Sequence, residues 1–401
     1  MSAIVAPIQQ DVRVISLVSA AHAISHFFQV LVPPLFPFIK EDLGISYTAL
    51  GAVLGLYFLV SGIFQTLAGF AVDRFGARRV LTLGLAFCVA GAVIAGFAQS
   101  YAMLVVAAVI GGLGNSVFHP SDFAIINSRV SAPRLAYAYS SHGIFGSLGY
   151  AAAPLFSVAT VGAFGWHGTI LAGAAIGAVV LVALLLNSEV LEVSATRGAA
   201  SRADYSEDIK ILLSPPVLMC FGYFLLVAIV FIAVLSFGVS ALVAAYQITA
   251  VQASAALTTY MLGAAAGILV GGIIAARGWR PERVASGGMA ASALVMLVIA
   301  SVWLPAIVLP LLFAASGFAN GMTNPSRDLL VRQTTPPAST GAVYGFVYSG
   351  LDLGSVLAPV YFGWLLDAGH PQAVFFTAAG VLLVTILTVL RLPARRRAPA
   401  V

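Results

Sequence analysis

Long apolar segments alternate with short polar segments along the whole chain. A helix that crosses a bilayer needs about 20 mostly apolar residues, and twelve segments meet this requirement. Several of them contain Pro or Gly, which neighbouring helices tolerate within a membrane. The pattern predicts an all-α, polytopic membrane protein with spans near 12–39, 47–72, 80–98, 101–128, 137–163, 168–187, 215–241, 248–275, 284–303, 306–331, 340–366 and 371–391.

The longest polar stretch separates these spans into two groups of six. It covers residues 188–214 and is predicted to be a cytoplasmic linker, with a short surface helix near 205–213. On this basis we expect a six-helix half at 1–187, the linker, and a second six-helix half at 215–401 that ends in a short basic tail.

Composition supports a membrane protein and argues against other classes. The chain is 61% hydrophobic and 8% charged, whereas soluble proteins carry about 25% charged residues. Cys88 and Cys220 lie inside apolar runs without metal-ligand spacing, so a disulfide framework is not expected. The sequence shows no nucleophile–base pair and no metal-ligand motif, so we expect no enzyme activity, no cofactor and no metal.

The basic residues predict the orientation. Cytoplasmic segments of membrane proteins carry an excess of Lys and Arg, and a cytoplasmic N-terminus leaves only Lys40 of the 19 basic residues outside. The net charge of +5 therefore reflects topology rather than a nucleic-acid surface, and the basic tail can also contact anionic lipid headgroups. We expect a monomeric protein of a bacterial inner membrane with both termini in the cytoplasm.

The two groups of spans are related by an internal repeat at an offset of 205 residues. The register holds without a gap over some 45 residues and relates the fourth and fifth spans to the tenth and eleventh. Two parallel six-helix repeats with a central site at their interface form a common transporter plan. The matched positions are 112–115 with 317–320, 119–121 with 324–326, Tyr139 with Tyr344, Gly149 with Gly354, and 153–154 with 358–359.

The loop after the second span carries a recognisable pattern. Residues 69–79 have the sequence Gly-Phe-Ala-Val-Asp-Arg-Phe-Gly-Ala-Arg-Arg. This resembles the signature loop of the major facilitator superfamily, Gly-x-x-x-Asp-Arg-x-Gly-x-Arg-Arg. Gly69 lets a neighbouring helix approach, Asp73 can accept hydrogen bonds from a helix N-terminus, and Arg74 and Arg78 supply a polar latch. We assign these four residues to gating.

A second element resembles one branch of that superfamily. The sequence Asn115-Ser-Val-Phe-His119-Pro120 in the fourth span is similar to the Phe-His-Pro element of fosmidomycin-resistance-type exporters. The drug:proton antiporter signature has an Arg where this chain has Ala108, and the second-half copy of the signature loop has Ala276 in place of the acid. The resemblance implies a twelve-helix secondary transporter, with export slightly favoured.

Polar side chains inside spans are costly and point to function. His22 and His26 lie one helical turn apart in the first span, with Gln29 three residues further on. They could line a cavity, bond to a neighbouring carbonyl or hold a metal, although no second ligand cluster is visible. The resemblance implies that the first, fourth, seventh and tenth spans line a central cavity. The predicted substrate-binding residues are Gln29, Asn115, His119, His142, Asn320 and Asn324, although the asparagines could equally join helices.

Asp352 is the only acid near the middle of a predicted span, and its repeat mate is Ser147. A carboxyl group at that depth is suited to carrying a proton, so we predict that Asp352 couples protons, with His26 and His22 as partners. The alternative is a protonated carboxyl that bonds two helices. No Lys or Arg is expected at its depth, which argues against tightly bound anionic substrates.

Asp122 and Arg327 are repeat mates near the cytoplasmic ends of the fourth and tenth spans. An ion pair between them would form a cytoplasmic gate. The alternative is that both side chains extend into the membrane interface as ordinary end residues.

These patterns favour a proton-coupled carrier of a small organic solute that works by alternating access. One rival function is uptake of a carboxylate or vitamin-like nutrient, with His26 or Arg327 binding the anion. Another is a non-transporting membrane sensor. The expected partners are a small-molecule substrate, protons and membrane lipid, without nucleic acid.

Overall fold

The structure is a computed structural model that describes residues 8–193, 211–334 and 340–390. Within these ranges it leaves out the side chains at 66, 73, 132, 136, 276, 332–334, 340–342, 344 and 345. The Asp73 side chain, the basic tail and residues 205–210 of the expected surface helix therefore lie outside the described part.

Twelve helical spans make up the described chain. Eleven segments are long and apolar enough to cross a membrane, and one of them, Tyr137–Leu186, has 50 residues. At about 1.5 Å per residue this segment is more than twice as long as the roughly 30 Å hydrocarbon core requires. It bends at Gly165, whose φ of 64° favours glycine, and so forms two spans.

We number the spans α1 to α12 in chain order. The predicted all-α fold with twelve spans is confirmed, with six spans before residue 188 and six after residue 214, while the division into three domains stays a prediction. A short helix, Gly238–Tyr246, follows α7. The bounds are Ile8–Leu43 (α1), Tyr47–Phe75 (α2), Ala77–Gly96 (α3), Tyr101–Arg129 (α4), 135–164 (α5), 166–186 (α6), Pro215–Leu235 (α7), Ala250–Ala276 (α8), Pro281–Ser301 (α9), Leu309–Thr334 (α10), Thr340–Asp367 (α11) and Pro371–Leu390 (α12).

The repeat-related prolines of α4 and α10 act differently. Proline lacks the N–H that bonds the carbonyl four residues earlier, and its ring crowds that carbonyl. Accordingly α4 is broken between Asn115 and Phe118, ahead of Pro120. By contrast, α10 contains Pro325 within one continuous helix. Of these two spans, only α4 is therefore interrupted at its proline.

Glycines set the distance between spans. On α8 a side chain at Gly263, Gly267 or Gly271 would overlap a backbone carbonyl of α10, and one at Gly317 or Gly321 of α10 would overlap a carbonyl of α8. Small residues in such positions let membrane helices pack backbone to backbone. Because this contact leaves no space for side chains, it holds α8 and α10 as one rigid pair beside the centre of the molecule.

Neighbouring glycines on α8 provide a matched test of this packing. A Cβ at Gly271 would overlap the Met322 carbonyl, whereas a Cβ at Gly272 meets no atom within 4 Å. We expect Gly271→Ala to destabilise the protein by about 1–3 kcal/mol through overpacking, and Gly272→Ala to leave stability unchanged. Thermal unfolding in detergent, followed by fluorescence, measures both variants. Equal melting temperatures would contradict the packing argument.

Candidate functional site

A polar cavity of about 360 Å³ lies among eight spans, α1, α2, α4 and α5 on one side and α7, α8, α10 and α11 on the other. Its walls bring together most of the residues that the sequence singled out, although these are far apart in the chain. Those that line it are His26, Gln29, Asn115, His119, Asn320, Asn324, Arg327 and Asp352.

Hydrogen bonds connect one wall of the cavity across four spans. The Tyr150 hydroxyl donates to Gln29 Oε1 at 2.7 Å, and Gln29 Nε2 donates to Asn115 Oδ1 at 2.9 Å. Asn115 Nδ2 then donates to Ser61 Oγ at 2.8 Å. The predicted polar residues therefore both face the cavity and join helices, so the two alternatives for Asn115 are compatible.

The repeat mate of Asn115 is bonded in a similar way. Asn320 Nδ2 donates to the Tyr260 hydroxyl at 2.7 Å, and Tyr260 also lines the cavity. Sequence reasoning missed Ser61, Tyr150 and Tyr260. Hydroxyl residues are common in apolar spans, and only the folded arrangement shows which of them bond to the asparagines.

Asp352 lies on the cavity wall, near the middle of α11. Among the described residues its carboxyl group has no hydrogen-bond or ion-pair partner. The adjacent span α2 approaches closely, since a Cβ at Gly62 would be 3.1 Å from the Asp352 Cβ. The carboxyl group is thus free to meet a proton or a solute in the cavity.

Arg327 lines the same cavity as Asp352, whereas the expectation that no Lys or Arg shares the depth of Asp352 stays a prediction. Arg327 Nε donates to Asp328 Oδ1 at 3.0 Å, and its guanidinium group lies 4.7 Å from the centroid of the Phe224 ring. Helical side chains point toward the N-terminus of their helix. The long Arg327 side chain is therefore expected to extend from its backbone toward the Leu309 end of α10.

The expected ion pair between Asp122 and Arg327 is not present in this structure. Asp122 is fully buried, and its Oδ2 lies 3.0 Å from His142 Nε2 and 3.3 Å from His22 Nδ1. His142, predicted to bind substrate, does not line the cavity and instead bonds to Asp122. A residue count along each helix gave similar depths for Asp122 and Arg327, but it could not show that Asp122 faces the inside of its own helix bundle.

The ligand atoms of His22, Asp122 and His142 all lie within 4.8 Å of one another. The sequence gave no sign of this cluster, because the three residues belong to three different spans. The expectation that no second group of potential metal ligands accompanies His22 is therefore wrong.

The cavity is closed at the end that the basic residues predict to be outside. There the Asp367 carboxylate, at the end of α11, accepts hydrogen bonds from Tyr47 N at 2.9 Å, Thr48 N at 2.7 Å and Thr48 Oγ1 at 2.6 Å. Lys40 Nζ lies 3.4 Å from it. A carboxylate at a helix N-terminus is favoured by the helix dipole, so Asp367 ties α11 to the start of α2.

Aromatic rings fill the space beside this tie. The ring of Phe36 in α1 lies 5.7 Å from that of Phe237, which in turn lies 6.2 Å from Phe362 of α11. All three side chains are buried. The sequence analysis missed this closure because Asp367 and these phenylalanines look like ordinary span-end residues.

Toward the other end, the described contacts between α2 and α11 become fewer. A Cβ at Gly51 would overlap the Pro359 carbonyl, one at Gly55 would be 2.9 Å from the Val356 oxygen, and one at Gly69 would meet nothing within 4 Å. No described atom approaches this position, so the close approach of a helix at Gly69 stays a prediction. Among the described residues, the close contacts between α2 and α11 lie toward the end that is predicted to be outside.

The signature loop makes its described contacts within the first six spans and the segment that follows them. Arg78 Nε lies 2.5 Å from Glu192 Oε2, beyond the end of α6. The Arg74 guanidinium lies 5.4 Å from the neighbouring Phe75 ring. In this conformation neither arginine forms a described contact with the second group of six spans, so their gating role stays a prediction.

A helical membrane fold around a polar cavity with one closed end is typical of secondary transporters. The profile of the Major Facilitator Superfamily matches residues 18–246 and 219–401. The chain therefore belongs to the major facilitator superfamily, as the signature loop predicted.

Individual relatives match parts of the chain. The Fosmidomycin resistance protein of Escherichia coli (strain K12) is 24% identical over 152 residues, which are 38% of this chain and 37% of that protein. The Multidrug efflux protein YfmO of Bacillus subtilis (strain 168) is 29% identical over 201 residues, 49% of this chain and 50% of that protein. The matched parts thus span half or less of these relatives.

Among solved structures, the nucleoside transporter NupG superposes with a TM-score of 0.76 at 15% identity, covering 96% of this chain and 99% of that one. At this identity the likeness concerns the fold alone.

The outer tie can be tested by removing its carboxylate. We expect Asp367→Ala to open the outer end more often, because four polar contacts between α11 and the region around α2 are lost. A cysteine at the cavity residue Ser355 should then react several-fold faster with an impermeant maleimide applied from outside. Glu41→Ala, an exposed acid of the same outer region, is the matched control. Unchanged labelling in Asp367→Ala would show that the tie does not hold the closed state.

Proposed function

We propose that this protein is a proton-coupled carrier of a small polar organic solute across the bacterial inner membrane, working by alternating access, with export slightly favoured. The observation that carries the proposal is the polar cavity whose walls come from four spans on each side. A binding site between two groups of helices becomes accessible to either side of the membrane when the groups rock against each other.

The size and lining of the cavity fit a small solute. Its volume of about 360 Å³ is within the roughly 300–1,000 Å³ range of small-molecule sites. Amide groups of Asn115, Asn320 and Asn324 and the imidazoles of His26 and His119 offer donors and acceptors on opposite walls. Apolar residues such as Phe231 and Met261 complete the lining, as expected for an organic molecule with both polar and apolar parts.

The proposed proton carrier is Asp352. Its carboxyl group lies on the wall where α2 and α11 approach each other, beside the apolar residues Leu351 and Val227 of the same cavity. Enclosing a charged carboxylate among apolar groups is costly. Protonation removes that charge, so we propose that the cavity around Asp352 closes on the solvent side only in the protonated state. His26 lines the same cavity and is proposed as its partner.

Export is supported by the names of two relatives, a fosmidomycin resistance protein and a multidrug efflux protein. Both names describe removal of toxic compounds or resistance to them. We therefore propose fosmidomycin as the first compound to test, together with a thermal-shift screen of metabolites and drugs, because a ligand that binds the folded state raises its apparent stability.

A second candidate function is transport of an organic anion, which the position of Arg327 favours. Its guanidinium group is on the cavity wall and presents planar donors that suit a carboxylate or phosphonate. Asp328 bonds Nε only, so the terminal nitrogens are the groups proposed to bind a solute anion.

The coupling proposal predicts a separation of two activities in Asp352→Asn. This variant mimics the protonated state permanently, so it should lose accumulation of fosmidomycin driven by a pH gradient while keeping exchange of labelled for unlabelled compound. Both are measured in proteoliposomes with the purified protein. Ser349→Ala, an exposed position of the same helix that does not line the cavity, should keep both activities. Gradient-driven accumulation by Asp352→Asn would place coupling elsewhere.

The anion proposal predicts a charge-dependent loss of binding in Arg327→Gln. Removing a charged hydrogen-bond donor costs about 1.5–3 kcal/mol, which corresponds to a roughly ten- to hundredfold weaker affinity for an anionic solute. Arg327→Lys, the matched control, keeps the charge and should lose less. Titration of the purified variants with a carboxylate and its uncharged amide measures the difference. Equal weakening for the acid and the amide would contradict anion recognition.

A further inference from the structure

A second polar centre lies inside the first six spans, apart from the solute cavity. It consists of His22 on α1, Asp122 on α4 and His142 on α5, which we name the histidine–aspartate cluster. The side chains are 3%, 0% and 5% exposed, and none of them lines the cavity. The proposed carrier mechanism, with Asp352 as the proton carrier, does not use this cluster.

We propose that the histidine–aspartate cluster is a second proton-binding site, distinct from Asp352 and connected to the solute cavity through His26 and His119. The inference rests on the proposed proton-coupled transport for its role, but the binding of the proton can be tested without any solute.

The first support is the balance of charge around Asp122. A carboxylate that is fully buried is stable only when a cation or a proton neutralises it. Both ion-pair partners that the described residues give Asp122 are the imidazoles of His22 and His142. A proton bound by the carboxyl group or by one imidazole is therefore the group that neutralises this site.

The second support comes from the unsatisfied atoms. His142 Nε2 bonds Asp122 Oδ2, but Asp122 Oδ1 and His22 Nδ1 are buried without a hydrogen-bond partner among the described residues. His22 Nδ1 is only 3.3 Å from Asp122 Oδ2, yet it lacks hydrogen-bonding alignment. A small rotation of either group would form a second bond, so the cluster has two ways to hold the same proton.

The third support limits the number of protons. The rings of His22 and His142 stack with centroids 3.6 Å apart and planes 22° apart. Two imidazolium ions at that distance in a low-dielectric interior repel strongly. The cluster therefore holds one positive imidazole at most, which gives a single protonation step rather than a gradual uptake.

The same stacking argues against a metal ion. Zinc binds histidine nitrogens at about 2.0–2.1 Å, with the ion in the plane of each ring. The two ring planes are nearly parallel, so the line where they meet lies much farther from the ring nitrogens than the length of a metal–nitrogen bond. His22 and His142 therefore cannot both ligate one ion in these orientations. The three ligand atoms are near one another, but their directions favour a proton.

His26 and His119 provide the connection to the cavity. The centroid of the His22 ring lies 4.2 Å from that of His26 and 5.4 Å from that of His119. His26 and His119 both line the cavity. They are also the other titratable groups that face the cluster, one from α1 and one from α4. A proton that enters the cavity can thus reach Asp122 by way of imidazole side chains.

Space for this row of imidazoles is provided by α5. A Cβ at Gly146 would be 2.8 Å from His26 Nδ1 and 2.9 Å from His22 Nε2. Only glycine allows both rings to pack against the helix at this place. The arrangement of the histidines therefore depends on α5 as well as on the one-turn spacing within α1.

Infrared difference spectroscopy of the full-length protein in detergent tests the proposal. Spectra recorded between low and neutral pH should contain carboxyl bands of two buried groups. Asp122→Asn should remove one of them and leave the other, and Asp352→Asn should do the reverse. His142→Gln, which keeps a hydrogen-bonding side chain, should shift the Asp122 band. Identical pH difference spectra for wild type and both cluster variants would overturn the proposal.

A metal measurement completes the test. After purification with excess zinc and removal of loosely bound ions, the wild type should retain less than a tenth of an equivalent by elemental analysis. One equivalent of zinc in the wild type that is lost in His142→Gln would overturn the proton site in favour of a metal site. Failure of gradient-driven fosmidomycin transport alone, with the Asp122 band present, would instead count against the proposed function and leave the protonation of the cluster established.

Discussion

The cost of placing charge inside a membrane governs this protein. A charged group among apolar helices must be paired, neutralised or exposed to water, and the three charged residues at the centre of the argument meet this constraint differently. Asp122 is enclosed by histidines, Arg327 pairs with Asp328 and lies over an aromatic ring, and Asp352 faces the cavity. In each arrangement a proton or a charged solute can alter the charge balance around the group.

Backbone packing between the helices determines which of them can move relative to each other. The glycine-lined contact of α8 with α10 leaves no room for relative movement of the two helices without breaking many contacts. The contact of α2 with α11 is different, since it is tight at Gly51 and no described atom lies within 4 Å of a Cβ at Gly69. The outer tie at Asp367 consists of partly exposed hydrogen bonds, each worth about 0.5–1.5 kcal/mol. Such bonds hold one state and can still break when the cavity is occupied.

The cavity and the histidine–aspartate cluster share a boundary at His26 and His119. A solute that bonds to either imidazole would therefore change the surroundings of the buried carboxylate, and protonation of the cluster would change the charge felt by the solute. Asp352 lines the same cavity from α11, in the other group of spans. In the proposed mechanism the two protonation sites lie on both sides of the solute, so closure of the cavity depends on both.

The sequence by itself determined the features that depend on local composition and spacing. Apolar length predicted the spans, the signature loop predicted the family, and the high cost of polar groups in spans singled out residues such as Gln29, Asn115 and Asp352, which line the cavity. Only the tertiary structure decided which of these residues meet. His142, predicted to bind substrate, bonds to Asp122 and does not line the cavity. Asp122 lies beside histidines of its own group of spans rather than beside Arg327. Arg327 lines the cavity, and Asp367 bonds α11 to the start of α2. The reason is that periodicity gives the depth of a residue along one helix, whereas the rotation of that helix and the direction of a long side chain depend on packing against helices far away in the chain.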